Sequence, residues 1–200
     1  MNTIEKGNNF EDEVFKSIGN ELNSNNLGIL PSQAKLFKKK SYYSRDRNAD
    51  IIVDISIEIW LKNSDNYSFL FIIECKDYSS SVPVSDLEEF KSKIDQIAGK
   101  NVKGIFATNS SFQRASLSYA RSNGIGILRI LPDDQIDWMV YLMTSISTLN
   151  SNTIDQNDYY NALTRIDYRG KNHDFYSAYD GYLFGNMYSL LKYYFKNINL

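Results

Sequence analysis

The chain has 200 residues, 42% of them hydrophobic, which is enough for one domain with a full core. A formal charge of −2 and a pI near 5.5 exclude binding of nucleic acid through bulk positive charge, so any grip on phosphate has to come from local clusters. A single cysteine and a single histidine exclude a disulfide framework and a His/Cys zinc site; with no signal-peptide core and no long apolar run, a cytoplasmic protein without membrane attachment is expected.

Phe10, Val14, Ile18 and Leu22 recur every four residues behind Asn8-Asn9, a cap-forming pair, and predict a helix from about Phe10 to Leu22. The Asn/Ser stretch over 23–26 ends it, and a strand is expected near Ala34 to Tyr43. Basic residues gather here, with Lys35, Lys38, Lys39, Lys40, Arg45 and Arg47 ahead of an acid-bearing strand; Arg114, Arg121 and Arg129 follow later. Lys38, Lys39, Lys40, Arg45 and Arg47 are the candidate nucleic-acid contacts, against the alternative of a plain solvated surface.

The acid-bearing strand runs from Asp50 through Asp54 to Glu58, and the apolar run Phe69–Ile73 leads into Glu74-Cys75-Lys76. Side chains alternate along a strand, so Glu74 and Lys76 share one face while Cys75 points to the other. The turn formers Lys62-Asn-Ser-Asp-Asn66 imply a hairpin centred near Ser64, with opposed residue numbers summing to roughly 128. Asp54 then falls across from Glu74. Asp50, four residues earlier, is expected on the same face at the mouth of the site, as the alternative acid; a one-residue slip would turn either away. Two carboxylates able to hold Mg²⁺, beside a lysine that orients a water or balances phosphate charge, read as a metal-dependent nuclease site. The competing reading is a chance Glu-x-Lys on a wet strand face, against which stands the apolar run that precedes it.

After Lys76 the polar loop 77–83 leads to Ser85-Asp-Leu-Glu88, with capping-box spacing, and to a helix with buried stripe Leu87, Phe90, Ile94 and Ile97, ending near Gly99. Val102–Ala107 is a strand. Ser110-Ser-Phe-Gln113 has the spacing of a second capping box opening a helix to Arg121 or Ser122, with Gly124 as its stop, and Gly126–Leu131 is another strand. The order is α, three strands, α, strand, α, strand: an α/β sandwich with a mixed central sheet. Asp134–Met143 is expected to begin a helical extension over residues 132–200, rich in aromatics from Tyr159 to Phe195, with helical spacing in Gly185–Phe195. Aromatic and basic residues together can stack on single strands, but here the structural reading is preferred: packing on the 1–131 core or a homodimer contact. His173 is read as surface or structural.

The chain resembles the PD-(D/E)xK nuclease superfamily, and within it the Mrr-like restriction endonuclease group. The resemblance rests on Phe10-Glu11, Asp54 or Asp50 with Glu74 and Lys76, and Ile73–Tyr78 followed by Val82–Phe90. Lys103–Asn109, Phe112-Gln113 and Gly124–Ile127 extend it over the first two thirds of the chain. It implies a restriction-endonuclease-like fold and a Mg²⁺- or Mn²⁺-dependent endonuclease acting on DNA, in restriction or defence. It further implies that Asp54, Glu74 and the Cys75 carbonyl hold the ion, that Lys76 activates or positions water, and that Glu11 is an accessory acid and Gln96 a supporting polar residue, against the alternatives of a helix-surface acid without a role and, preferred for Gln96, an exposed helix glutamine. The Pro that often precedes the acid is absent here. A catalytically silent nucleic-acid-binding or sensor module, or a scaffold acting through the C-terminal region, are the alternatives.

Overall fold

The computed structural model describes residues 3–24, 27–97, 101–137, 155–171 and 173–196. Its strands are β1 (Ala34–Lys38), β2 (Ser41–Ser44), β3 (Ala49–Ile52), β4 (Ile55–Ile59), β5 (Phe69–Lys76), β6 (Val102–Thr108), β7 (Ile125–Ile130), β8 (Ile136–Asp137), β9 (Gly170–Lys171), β10 (Phe175–Tyr179) and β11 (Tyr182–Phe184). The helices are α1 (Thr3–Asn23), α2 (Val84–Ile97), α3 (Arg114–Ser122), α4 (Gln156–Thr164) and α5 (Met187–Lys196). Seven strands form one mixed sheet in the order β1-β4-β5-β6-β7-β10-β11, parallel across β5-β6-β7 and antiparallel on both flanks. This is the expected α/β sandwich with a mixed central sheet.

Each face of the sheet has its own core. Phe10, Val14, Ile18 and Leu22 of α1 meet Leu190, Leu191, Tyr194 and Phe195 of α5 over Ile57, Phe71, Ile73 and Ile105. On the opposite face Leu87, Phe90 and Ile97 of α2, Ala120 of α3 and Tyr159 and Leu163 of α4 cover Leu70, Ile72, Phe106 and Ile127. β5 is buried on both faces because helices cover both, which is why it reads as a continuous apolar run.

The predicted register of the β4–β5 hairpin is observed: Ile55 lies opposite Ile73 and Ile57 opposite Phe71. The two flanking strands are not continuous, however. The strand expected over Ala34–Tyr43 bends at Lys39 (φ +52°), and the one expected over Asp50–Glu58 breaks at Val53-Asp54. Both breaks lie at one level because these strands are partners. One register runs through both halves, with Lys38 opposite Ile55 and Ser41 opposite Ile52. Lys39 N–H donates to the Asp54 carbonyl (2.8 Å) and Val53 N–H to that of Lys40 (3.1 Å), so the backbone stays paired through the bend. The inner half, β1–β4, belongs to the main sheet; the outer half, β2–β3, leaves it as a two-stranded ribbon.

Several helix starts differ from expectation. α1 begins at Thr3 and runs through Asn8-Asn9, since asparagine within a helix costs only about 0.7 kcal/mol or less. α2 begins at Val84, so Ser85 lies inside its first turn and no Ser85–Glu88 box forms. Residues 111–113 run outside any helix, because Val82 and Phe112 pair across a short bridge; α3 starts only at Arg114. Gly124, at φ +63°, does follow the helix end.

The C-terminal part is not purely helical. Phe175–Tyr179 and Tyr182–Phe184 add two strands to the main sheet, and β10 pairs with β7, leaving no bare edge there. Of the helix expected over Asp134–Met143, residues 133–135 form a 3-10 turn and Ile136–Asp137 pairs with β9, while 138–143 lies outside the described residues. The C-terminal aromatics are mainly core: Tyr176 and Tyr194 are buried, with edge contacts Tyr159–Tyr176 and Phe71–Tyr194. His173 packs on the Tyr176 ring at 4.4 Å between centroids, in a structural setting.

Candidate active site

The carboxyl end of β5 carries the polar residues that its buried body lacks. Glu74 is 4% exposed, and Lys76, two residues on and therefore on the same face, places Nζ 3.0 Å from Glu74 Oε1. α2 packs over this face and brings Lys93 Nζ to 2.9 Å from the same oxygen. Cys75 points to the other face, under α1, and its N–H donates to Asp54 Oδ2 at 2.8 Å. The β4–β5 register ends one residue short of Asp54, so the bend leaves this carboxylate outside the ladder, where it reaches the β5 backbone between Glu74 and Lys76.

A third acid comes from α1. Glu11 is 7% exposed; its Oε1 accepts from Lys39 Nζ at 2.6 Å, and the same Nζ donates to Asp54 Oδ1, also at 2.6 Å. Glu11 Oε2 is buried without a hydrogen-bond partner, its nearby cation being Lys38 Nζ at 3.9 Å. Three carboxylates thus neighbour Cys75. Burial first, then Asp54, Glu11 and Glu74, push its thiol well above the ordinary range, so it is no thiolate nucleophile. For Lys76 burial opposes the charge, but Glu74, then Tyr78 and Asp54, outweigh it and hold the ammonium above its usual value. Lys39 is raised in the same way: Asp54 and Glu11 overcome its desolvation.

The structure brings Asp54, Glu74, Cys75, Lys76 and Glu11 together. It does not bring Asp50. That residue stands exposed on β3 opposite Tyr43, because the break at Val53-Asp54 removes the shared strand face on which its placement depended. Gln96 is not on Glu74 either. Its side chain accepts from Arg47 Nε (2.7 Å) and Ser44 Oγ (3.3 Å), bracing the ribbon against α2. Lys93, one turn earlier, is the α2 residue that meets the acid. The signal was present: position 93 lies three after Phe90 and four before Ile97, within the buried stripe, where an ammonium needs a carboxylate partner.

The basic cluster is largely committed within the chain. Lys38 donates to Asp12 (2.6 Å), Lys39 bridges Glu11 and Asp54, and Lys40 pairs with the buried Glu58 (2.5 Å), which also accepts from Tyr42 Oη (2.9 Å). Lys35 lies over the Trp60 ring. Arg45 and Arg47 are exposed at the ribbon's turn, and Arg114 and Arg121 on α3. Arg129, named with the surface candidates, is instead wholly buried. Its strand is interior because β10 covers the far side of β7, and it donates to main-chain oxygens of Asn109, Ala162 and Arg165 and to Gln135 Oε1.

Loops fix the strand end. Tyr78 N–H donates to Asn109 Oδ1 (3.0 Å), and Asn109 Nδ2 donates to Asp77 Oδ1 (2.5 Å), tying the segment after β5 to that after β6. Beside them is an open cleft of about 380 Å³ that includes Glu13, Asp77, Asp133 and Asp174. Burial, then Asp174 and Asp133, raise the Glu13 carboxyl. This side of the strand end is therefore acidic, whereas the ribbon side carries the exposed Arg45 and Arg47.

Among the described residues no three His, Cys, Asp or Glu side chains gather on one point as a ready metal cage. The donors on offer are the Asp54 and Glu74 carboxylates flanking the Cys75 backbone, all hard oxygens, which suit Mg²⁺ or Mn²⁺. No helix among the described residues is long and apolar enough to cross a membrane.

A search of curated proteins finds no match. The family model Mrr_cat, described as restriction endonuclease, matches residues 32–134, from the start of the bent hairpin through β7. That span holds Asp54, Glu74 and Lys76 and covers just over half of the 200 residues, and the chain belongs to the restriction endonuclease family Mrr_cat.

Proposed function

We propose that the protein is a Mg²⁺- or Mn²⁺-dependent endonuclease that hydrolyses phosphodiester bonds of DNA in a restriction-type defence. The observation that carries this is the Asp54 carboxylate seated on the Cys75 N–H, flanked by the Glu74–Lys76 pair. Asp54, Glu74 and the Cys75 carbonyl would hold the ion. When bound, a divalent cation polarises a non-bridging phosphate oxygen and lowers the pKa of water.

The remaining chemistry belongs to the chain. The Lys76 ammonium donates to the attacking water or to the phosphate oxygen on which charge grows, and Cys75 N–H orients Asp54 from behind. Lys93 shares Glu74 with Lys76, and with Glu74 holding a cation Lys93 would serve as a second donor for phosphate. Arg45 and Arg47, at the exposed turn of the ribbon, meet the backbone of the duplex, and Lys38, Lys39 and Lys40 add positive charge behind them.

The competing reading is a silent DNA-binding module, favoured by one observation: each acid of the site already has an ammonium partner. Incubating supercoiled plasmid with the purified protein and Mg²⁺ or Mn²⁺ separates the two. Wild type should cut. Glu74→Ala and Asp54→Asn should lose both metal binding and cutting, whereas Lys76→Ala should keep most metal binding and lose on the order of 10²–10³-fold in rate. Absence of cutting and of metal binding on unmodified and modified DNA alike would leave the silent module.

A further inference from the structure

Lys39 is held in place twice. Its backbone occupies the left-handed region at φ +52°, where a non-glycine residue is uncommon, and its N–H is bonded to the Asp54 carbonyl. Its side chain then returns to the same residue, placing one ammonium at 2.6 Å from both Asp54 Oδ1 and Glu11 Oε1. This ammonium bridges two carboxylates, one of them assigned above to the proposed ion, and so occupies the position that a divalent cation shared by Glu11 and Asp54 would take. Glu11 adds an independent sign of that latent site. It is buried to 7% exposure, yet its Oε2 has no hydrogen-bond partner, a cost that an oxygen ligand of a cation would not carry.

We propose that Lys39 is a built-in counter-cation that fills the Glu11–Asp54 position and restricts the site to one divalent ion, held on the Asp54–Glu74 side. The inference rests on the nuclease reading above and deepens it. Lys39 is thereby a positioning residue: it neutralises Glu11, and it fixes Asp54 from Oδ1 while Cys75 N–H fixes Oδ2. Of its neighbours, Lys40 is directed to Glu58, and Lys38 donates to Asp12 while lying 3.9 Å from Glu11 Oε2, too far to hydrogen-bond it and without reaching Asp54.

The test counts Mn²⁺ ions bound per chain, from the spin-resonance signal of free Mn²⁺, with folding checked by thermal melting. Wild type and Lys39→Arg should bind one ion. Lys39→Gln should bind two, and Lys39→Gln combined with Glu11→Gln should return to one. One ion in both wild type and Lys39→Gln overturns the role of Lys39 and leaves the nuclease reading standing. No ion in any variant overturns both. Should Lys39→Gln fail to fold, Lys39→Asn, a residue type that tolerates φ +52°, takes its place: two ions support the proposal and one ion overturns it.

Discussion

Arg129 shows how far a single residue can depart from what its chemistry suggests in isolation. In sequence it is one more cation after a run of surface arginines; in the fold it is 0% exposed and donates to four oxygens, from the segments after β6 and β7 and from the end of α4. Burial pulls its pKa down to about 10, against the opposing pull of Tyr176 and Tyr168. It keeps its charge at neutral pH because the carbonyl dipoles replace water. Removing it leaves those acceptors unpaired, so Arg129→Met should cost about 3 kcal/mol in urea denaturation despite its similar length. A loss below about 1 kcal/mol would mean that the guanidinium is dispensable to the packing of α4. The residues of the site were more legible. Glu74, Lys76 and Asp54 could be placed by alternation and register, whereas Lys93 and the bridging role of Lys39 depend on which helix and which bend arrive beside them.

Among the elements, the bent hairpin and the glycine-bearing strands decide the geometry. Hydrophobic periodicity located β5, β6, β7 and the buried stripes of α1 and α2, because each is a one-dimensional consequence of burial. It could not show the bend at Lys39 and Asp54, which arises when the outer half of the hairpin follows α2 and the inner half stays in the sheet. Close approach of helices to the sheet has a local cause as well. A side chain on Gly104 would strike Ile94 and Phe90 of α2, and one on Gly126 would strike the Tyr194 hydroxyl of α5, which donates to the Gly104 carbonyl (3.3 Å). Gly126→Ala should therefore displace Tyr194 and destabilise by about 1–3 kcal/mol, read as a lower thermal midpoint with α5 looser in hydrogen exchange. An unchanged midpoint would show that the aromatic can move aside freely.

For the whole molecule, the central question is whether the first 131 residues stand alone. β7 takes β10 as its outer partner, Arg129 takes two of its acceptors from the end of α4, and Leu190, Leu191, Tyr194 and Phe195 complete the core over Phe71 and Ile105. A chain cut after Leu131 would expose β7 as an apolar edge and uncover one face of the sheet. We expect the 1–131 fragment to be aggregated or without a cooperative melt, while the full chain melts in one transition. A cooperative melt from the fragment would establish the division into a nuclease domain over 1–131 and a separate extension over 132–200. The family match ends at residue 134, so homology and folding unit need not coincide here.

The sequence by itself determined the α/β class, the central strand with Glu74 and Lys76 on one face, and the hairpin register that brings Asp54 to the end of β5 beside them. These follow from alternation, burial and turn chemistry, which act between near neighbours in the chain. Only the tertiary structure decided that Asp50 leaves the site, that Lys39 joins Glu11 to Asp54, that Lys93 rather than Gln96 reaches Glu74, and that the aromatic C-terminal region completes the sheet. Each of these turns on residues tens of positions apart meeting across a bend or a packed face, a choice made by the summed burial of both cores and written in no single segment.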